Sequence, residues 1–268
     1  MNHRLPRWIT WLALGTLAFL YVPMLAVAVA SVNRGRHGFT WRGFTFAWYT
    51  RLFGNEHVLE AARNTLVLAA ISTLIATVLG TALAIGMSRF PWPRWVRRYL
   101  DLAVYLPVVT PDIIFAAALV VAFSVLRVLS PMFELGLPAM IVAHVTFQVA
   151  FVALVVRSRL ASIGPHIEEA ARDLYADTPG LLRRVMIPLL MPGIVAGAML
   201  AFTLSLDDFV ISFFTAGPES QTLPILIYGS LRRGLSPEIH ALSTLIFLVT
   251  VLLVLGLERM TWLAKESK

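Results

Sequence analysis

The chain has 268 residues, 58% of them hydrophobic and only 14% charged, at a mean hydropathy of +0.78. That apolar share exceeds the roughly 45–50% of ordinary soluble domains, so the solvent that suits this chain is lipid. Cysteine is absent, which excludes disulfides, thiolate-held zinc, iron–sulfur clusters and thiol catalysis, and the formal charge of +7 comes from arginines at the ends of hydrophobic runs, which argues against nucleic acid as a partner.

A membrane-crossing helix needs about 20 mostly apolar residues. Six stretches meet this, at residues 8–32, 59–87, 99–126, 138–156, 191–214 and 239–257. The expected fold is an all-α, polytopic bundle: one membrane domain over residues 1–268 with six transmembrane helices. The first stretch carries "AVAVAS", which resembles a cleavage site, but its apolar run is longer than the roughly 7–15 residues of a signal peptide, so it is read as a retained helix. Residues 33–58 follow, with the aromatic run "FTWRGFTFAWYTRLF", and should lie along the outer membrane interface.

The short loop "RFPWPRWVRR" after the second span places Arg89, Arg94, Arg97 and Arg98 beside aromatic anchors. Arg157, Arg159, Arg172, Arg183 and Arg184 follow the fourth span, and Arg4, Arg7, Arg259, Lys265 and Lys268 flank the termini. Putting these groups on the cytoplasmic side satisfies the positive-inside rule, so both termini are expected inside.

The third span, "YLPVVTPDIIFAAALVV", contains Asp112 after two prolines that should break or kink it. The fourth has His144 and Gln148 one turn apart, as possible polar lining. The fifth, "FTLSLDDFVISFF", has adjacent Asp207 and Asp208, which on a helix point about 100° apart. Arg63 is their candidate partner at the outer edge. Carboxylates inside a membrane cost about 2.5–3.5 kcal/mol each on insertion scales. They are read either as hydrogen-bonded packing and capping groups or as a path for cations. Gly193 and Gly197 form a small-xxx-small step for helix packing. Residues 216–238, with Gly217-Pro218, Pro224 and Ser236-Pro237, should form a re-entrant or folded loop.

Between the fourth and fifth spans, residues 162–190 are charged and cut by prolines. Pro165 sits near a first helical position, with Glu168 and Glu169 in the first turn, where the helix dipole favours anions. The helix should run to about Asp177, and Thr178-Pro179 should cap a second short helical piece. Pro188 and Pro192 should bend the chain into the fifth span. Ala170, Ala171, Leu174 and Tyr175 make an apolar patch flanked by charge. This is either a solvated loop resting on the membrane or a short helix presented to a cytoplasmic partner.

Nucleotide hydrolysis by a phosphate-binding loop is excluded, because the only lysines are Lys265 and Lys268. There is no H-E-x-x-H or G-x-S-x-G, and the histidines are too scattered for a metal site. The chain is therefore expected not to be an enzyme and to hold no metal.

The stretch "EEAARDLYADTPGLLRRVMIPLLMPG" resembles the EAA loop of the membrane permease subunits of ABC importers. Glu169, Ala170 and Ala171 match its Glu-Ala-Ala triplet, and Ile187-Pro188 takes the place of its later Leu-Pro pair. Tyr175 stands where that family has glycine. The residue that usually makes the tight turn is thus missing, and a bulkier knob is suggested. The resemblance implies that Glu168, Glu169, Ala170, Ala171, Leu174, Tyr175 and Pro188 form a coupling helix that docks on an ATPase subunit. With "PVVTPDII", "AHVTF", "FTLSLDDFVISFFTAGP" and "TLPILIYGSLRRGLSPEIHALSTL", the chain is similar to spermidine/putrescine-type permeases over most of its length. This implies a bacterial inner-membrane permease, paired with a second, unlike permease subunit, two copies of an ATP-binding subunit and an extracytoplasmic substrate-binding protein. The chain itself would hold no cofactor, ATP and magnesium belonging to the partner. Asp112, Asp207, Asp208, His144 and Gln148 are then candidates for the substrate pathway. A rival reading is a proton-coupled carrier of organic cations in which these aspartates titrate. Such carriers usually show repeated halves, and none is visible here. An ABC permease for another small solute is the second alternative.

Overall fold

A computed structural model describes residues 7–35, 40–164, 166–233 and 237–266. Pro165, Ser236, Arg4 and Lys268, to which the sequence assigned a helix start, a loop turn and terminal charges, lie outside the described residues. In chain order the helices are α1 (Arg7–Ser31), α2 (Ala47–Phe53), α3 (Glu56–Arg89), α4 (Arg94–Val109), α5 (Asp112–Leu126), α6 (Leu137–Ile163), α7 (His166–Asp173), α8 (Thr178–Gly180), α9 (Ile187–Asp207), α10 (Val210–Thr215), α11 (Leu223–Arg233) and α12 (Pro237–Glu266). The only β pairing among the described residues is one isolated bridge, Asn33 with Phe44. Four helical stretches are long and apolar enough to cross a membrane, or five when α4 and α5 are taken as one bent span. The fold is a helical membrane bundle.

The chain packs as two units, one made of residues up to Leu59 and from Ile227, the other running from Glu60 to Leu226. In the first, α1 and α2 both pack on α12. Asn33 organises the segment between α1 and α2. Its Oδ1 accepts the amides of Gly35 at 3.1 Å and Arg42 at 2.9 Å, and its Nδ2 donates to the Thr40 carbonyl at 3.0 Å. The Trp48 indole donates to its carbonyl at 2.7 Å. The aromatic run thus holds a built turn, with Trp41, Phe44, Phe46 and Phe53 left exposed.

In the second unit α6 is the central helix, packed against α4, α9 and α10. Its closest neighbour is α9, and glycines make that approach possible. A Cβ on Gly197 would lie 3.3 Å from Val152 Cγ1, and one on Gly193 would lie 2.6 Å from Arg159 Cβ. On α3, a Cβ at Gly80 would meet Val152 Cβ at 2.7 Å. Small residues at these crossings let backbones approach where lipid gives no hydrophobic drive, and the step read from Gly193 and Gly197 is realised. Val152, Val156 and Leu160 of α6 share one buried cluster with Leu181, Met186 and Leu190, so the bundle core continues into the segment that leads to α9.

Two predicted spans are broken. The third divides into α4 and α5, bent by 113° across Thr110-Pro111, as the prolines required. Asp112 therefore opens α5, at the bend of the α4–α5 pair. The fifth ends at Asp207, turns extended at Asp208 (φ −63°, ψ 122°) and restarts as α10. The two aspartates are not successive residues of one helix, so the 100° relation does not hold. The bend expected at Pro188 and Pro192 takes another form. Residues 181–186 form a π-helix that runs directly into α9, and the Ile187 amide donates five residues back to Leu182. Widening the helix just before Pro188 shifts the bonding register where an amide proton is missing.

Candidate functional site

At the end of the bundle formed by α7, the helix stops at Asp173, four residues short of the sequence-based expectation. Tyr175 is the cause. Its φ of 59° makes it the one non-glycine among the described residues with a left-handed backbone. The Ala176 amide donates to the Ala171 carbonyl at 3.0 Å and the Tyr175 amide to the Arg172 carbonyl at 2.9 Å. These two bonds are a Schellman cap, with Tyr175 at the position glycine usually fills. Ala171 and Ala176, which flank it, both pack on the buried cluster. The tight turn is therefore kept despite the tyrosine. Asp177, rather than Thr178, then caps the next turn, its Oδ1 accepting the Gly180 amide at 3.0 Å.

The cap sorts the expected patch by direction. Ala171 turns inward, while Leu174 is 82% and Tyr175 97% exposed. Ala170 and Pro188 are exposed as well. The two glutamates separate: Glu168 pairs with Arg89 at the end of α3 at 2.5 Å, while Glu169 stays outward, 3.4 Å from His166. Arg157 of α6 pairs with Asp101 of α4 at 2.6 Å. The exposed groups at this end are thus Glu169 on α7 and Leu174 and Tyr175 in its cap, with Glu168 tying the helix to the bundle.

The second site forms where the two broken spans meet. A cavity of about 350 Å³ is lined by Asp112 from the start of α5, Asp207 from the end of α9 and Asp208 from the break. Its apolar wall includes Phe115, Phe147, Phe151 and Phe209. Its volume falls within the range of about 300–1,000 Å³ typical of small-molecule pockets. Three carboxyl groups among aromatic faces make a place for a cation, since carboxylates attract it by charge and ring faces by their quadrupole. No ion pair among the described residues joins Arg63, or any other arginine, to these aspartates.

His144 and Gln148 do not line this cavity. Both are wholly buried between helices. Gln148 Nε2 donates to the Ala201 carbonyl of α9 at 3.1 Å, and His144 lies between Ser205 and Ser212. The phenylalanine wall was missed by residue-level reading, although Phe147 and Phe151, four apart on one face of α6, carried a usable signal. Arg89 was counted only as a topology charge, and nothing local pointed to Glu168 as its partner.

Residues 76–263 match the family described as binding-protein-dependent transport system inner membrane component. The chain is 36% identical over 239 residues to the spermidine/putrescine transport system permease protein PotC of Escherichia coli K12, covering 89% of this chain and 88% of that one. It is 38% identical over 244 residues to the putrescine transport system permease protein PotI of the same strain, covering 91% and 86%. Among solved structures, a bacterial ABC transporter involved in the import of the acidic polysaccharide alginate aligns with a TM-score of 0.74 at 20% identity, over 94% of both chains. The MetNI methionine ABC transporter aligns at 0.62 and 19%, over 75% of this chain and 93% of that one. A match of this extent, on a helical bundle shared with importer subunits, means that the chain belongs to the family of binding-protein-dependent inner-membrane permease components of ABC importers.

Proposed function

We propose that this chain is one half of the translocation pathway of an ABC importer for polyamines, with spermidine or putrescine as the solute. The observation that carries the reading is the cavity that gathers Asp112, Asp207 and Asp208 beside four phenylalanine rings. A flexible di- or tri-ammonium chain pairs its charged nitrogens with carboxylates and lays its methylenes on apolar walls. A polyanion such as alginate would be repelled, so the solute differs from that of the structurally similar importer even where the fold agrees. The two permeases related by sequence bear names of polyamine systems, which supports the same solute class.

The chain is read as one permease domain with six spans: α1, α3, the α4–α5 pair, α6, α9 with α10, and α12. At about 1.5 Å per residue, the 30 residues of α12 are long enough to cross. Both termini and α7 lie in the cytoplasm, and the protein is a multi-pass component of the bacterial inner membrane. A second, unlike permease completes the pathway. An extracytoplasmic binding protein delivers the solute, and two copies of an ATPase subunit supply ATP and magnesium. Leu174, Tyr175 and Glu169 meet the ATPase, and Glu168 holds α7 at a fixed angle to α3.

Uptake by the reconstituted importer tests the cavity. Asp112→Asn and Asp207→Asn should each raise the KM for labelled spermidine about tenfold, the loss expected for a charge-assisted hydrogen bond, with the complex still assembled. Unchanged KM in both variants would return these carboxylates to a packing role.

A further inference from the structure

We propose that His144 is a positioning residue that clasps the break between α9 and α10 and so sets where the Asp207 carboxylate enters the cavity; this rests on the cavity reading above. A helix broken inside a membrane frees amides and carbonyls that lipid cannot satisfy, so groups on the protein must hold the ends. Here Asp208 accepts freed amides of α10, and one imidazole on unbroken α6, with no exposed surface, holds that carboxylate and a serine on either side of the break.

Its Nδ1 lies 2.7 Å from Ser205 Oγ, three residues before the break, and its Nε2 lies 3.0 Å from Ser212 Oγ, four residues after it. Nε2 is also 3.3 Å from Oδ2 of Asp208, the residue at the break itself. Asp208 in turn anchors α10 by accepting the Ser212 amide at 2.7 Å and the Ile211 amide at 3.3 Å. Ser205 is buried and continues to Ser72 of α3, at 3.4 Å. The ring thus touches the helix before the break, the break and the helix after it.

The donor and acceptor inventory places a ring proton on Nε2. That proton faces the carboxylate, an acceptor only, while Nδ1 pairs with the Ser205 hydroxyl, which can donate or accept. Asp207 sits between these anchors, two residues after Ser205 and one before Asp208. It is exposed toward the cavity, while Asp208 retains 11% side-chain exposure. The two adjacent aspartates line one cavity but differ: Asp208 also carries the bonds across the break, and Asp207 stands more open. Apolar packing alone would not need three polar contacts spaced across one discontinuity.

The chain has no cysteine of its own, so Asp207→Cys introduces its single thiol at the cavity wall. In the assembled importer, the reaction rate of that thiol with a cationic methanethiosulfonate reagent reports its position. Adding His144→Phe should change the rate about tenfold, and adding His144→Gln, whose amide superposes on Nε2, should recover most of the original rate. An unchanged rate in an assembled His144→Phe importer overturns the clasp. Should His144→Phe fail to assemble, Ser205→Ala and Ser212→Ala each remove one contact and should shift the rate about threefold; no shift in either overturns the clasp equally. The cavity reading stands or falls separately: an unaltered spermidine KM for Asp207→Asn counts against it, while the labelling rates still decide the role of His144.

Discussion

A tyrosine held at φ 59° carries about 1–2 kcal/mol of backbone strain that glycine would not. The Schellman bonds and the Ala171–Ala176 packing offset it locally, and the ring is left almost fully exposed. Strain and an exposed apolar ring at one position are explained together if the ring has a partner. The prediction separates the two. Tyr175→Gly relaxes the backbone and removes the ring, while Tyr175→Ala keeps the strain and removes the ring. If the ring seats in the ATPase, both variants should weaken association of the purified ATPase subunit about tenfold or more, as loss of an interfacial aromatic anchor does. A Tyr175→Gly variant that binds as tightly as the parent would show that only the turn matters. The triplet Glu169-Ala170-Ala171, with Tyr175 in the place of the family's glycine, was legible as a stretch that resembles the EAA loop. The conformation of Tyr175 was not, because residue preference for a left-handed cap is a weak prior that the unpaired carbonyls at the helix end override.

Elements show the same division between what local sequence carries and what tertiary contacts add. Pro107 and Pro111 announced the break of the third span, and Pro111 stands at the turn. The fifth span has no proline or glycine near Asp208, so it read as unbroken. Its break is held by His144, 61 residues from Ser205 and 68 from Ser212, a relation no window of sequence contains. For the same reason His144 and Gln148 looked like pathway lining: helical spacing gave their common face but not which neighbour covered it. Gly193 and Gly197 were legible because small residues four apart state a packing geometry directly. Gly197 is buried against Val152, so Gly197→Leu should overpack the α6–α9 contact and destabilise the purified protein by about 1–3 kcal/mol. A lowered melting temperature in detergent checks this, and a melting temperature equal to that of the parent would contradict the crossing described here.

At the scale of the molecule, composition alone identified lipid as the solvent, and charge placement is the ground of the proposed topology. The cavity required three dimensions. Asp112 and Asp207 are 95 positions apart in sequence, and only the two broken spans bring them to one wall. Under the proposed function, force comes from another subunit and passes through α7 into the core shared by α6 and α9, and the family match agrees with a chain that works beside partner subunits. The rival, a proton-coupled carrier working alone, would use the same aspartates but would have no need of α7. The measurement that separates them is uptake of labelled spermidine into proteoliposomes holding this chain with its second permease, its ATPase subunit and its binding protein. Uptake should require ATP and persist when the proton gradient is collapsed. Uptake driven by a proton gradient, in vesicles from which the ATPase has been left out, would contradict the proposed function.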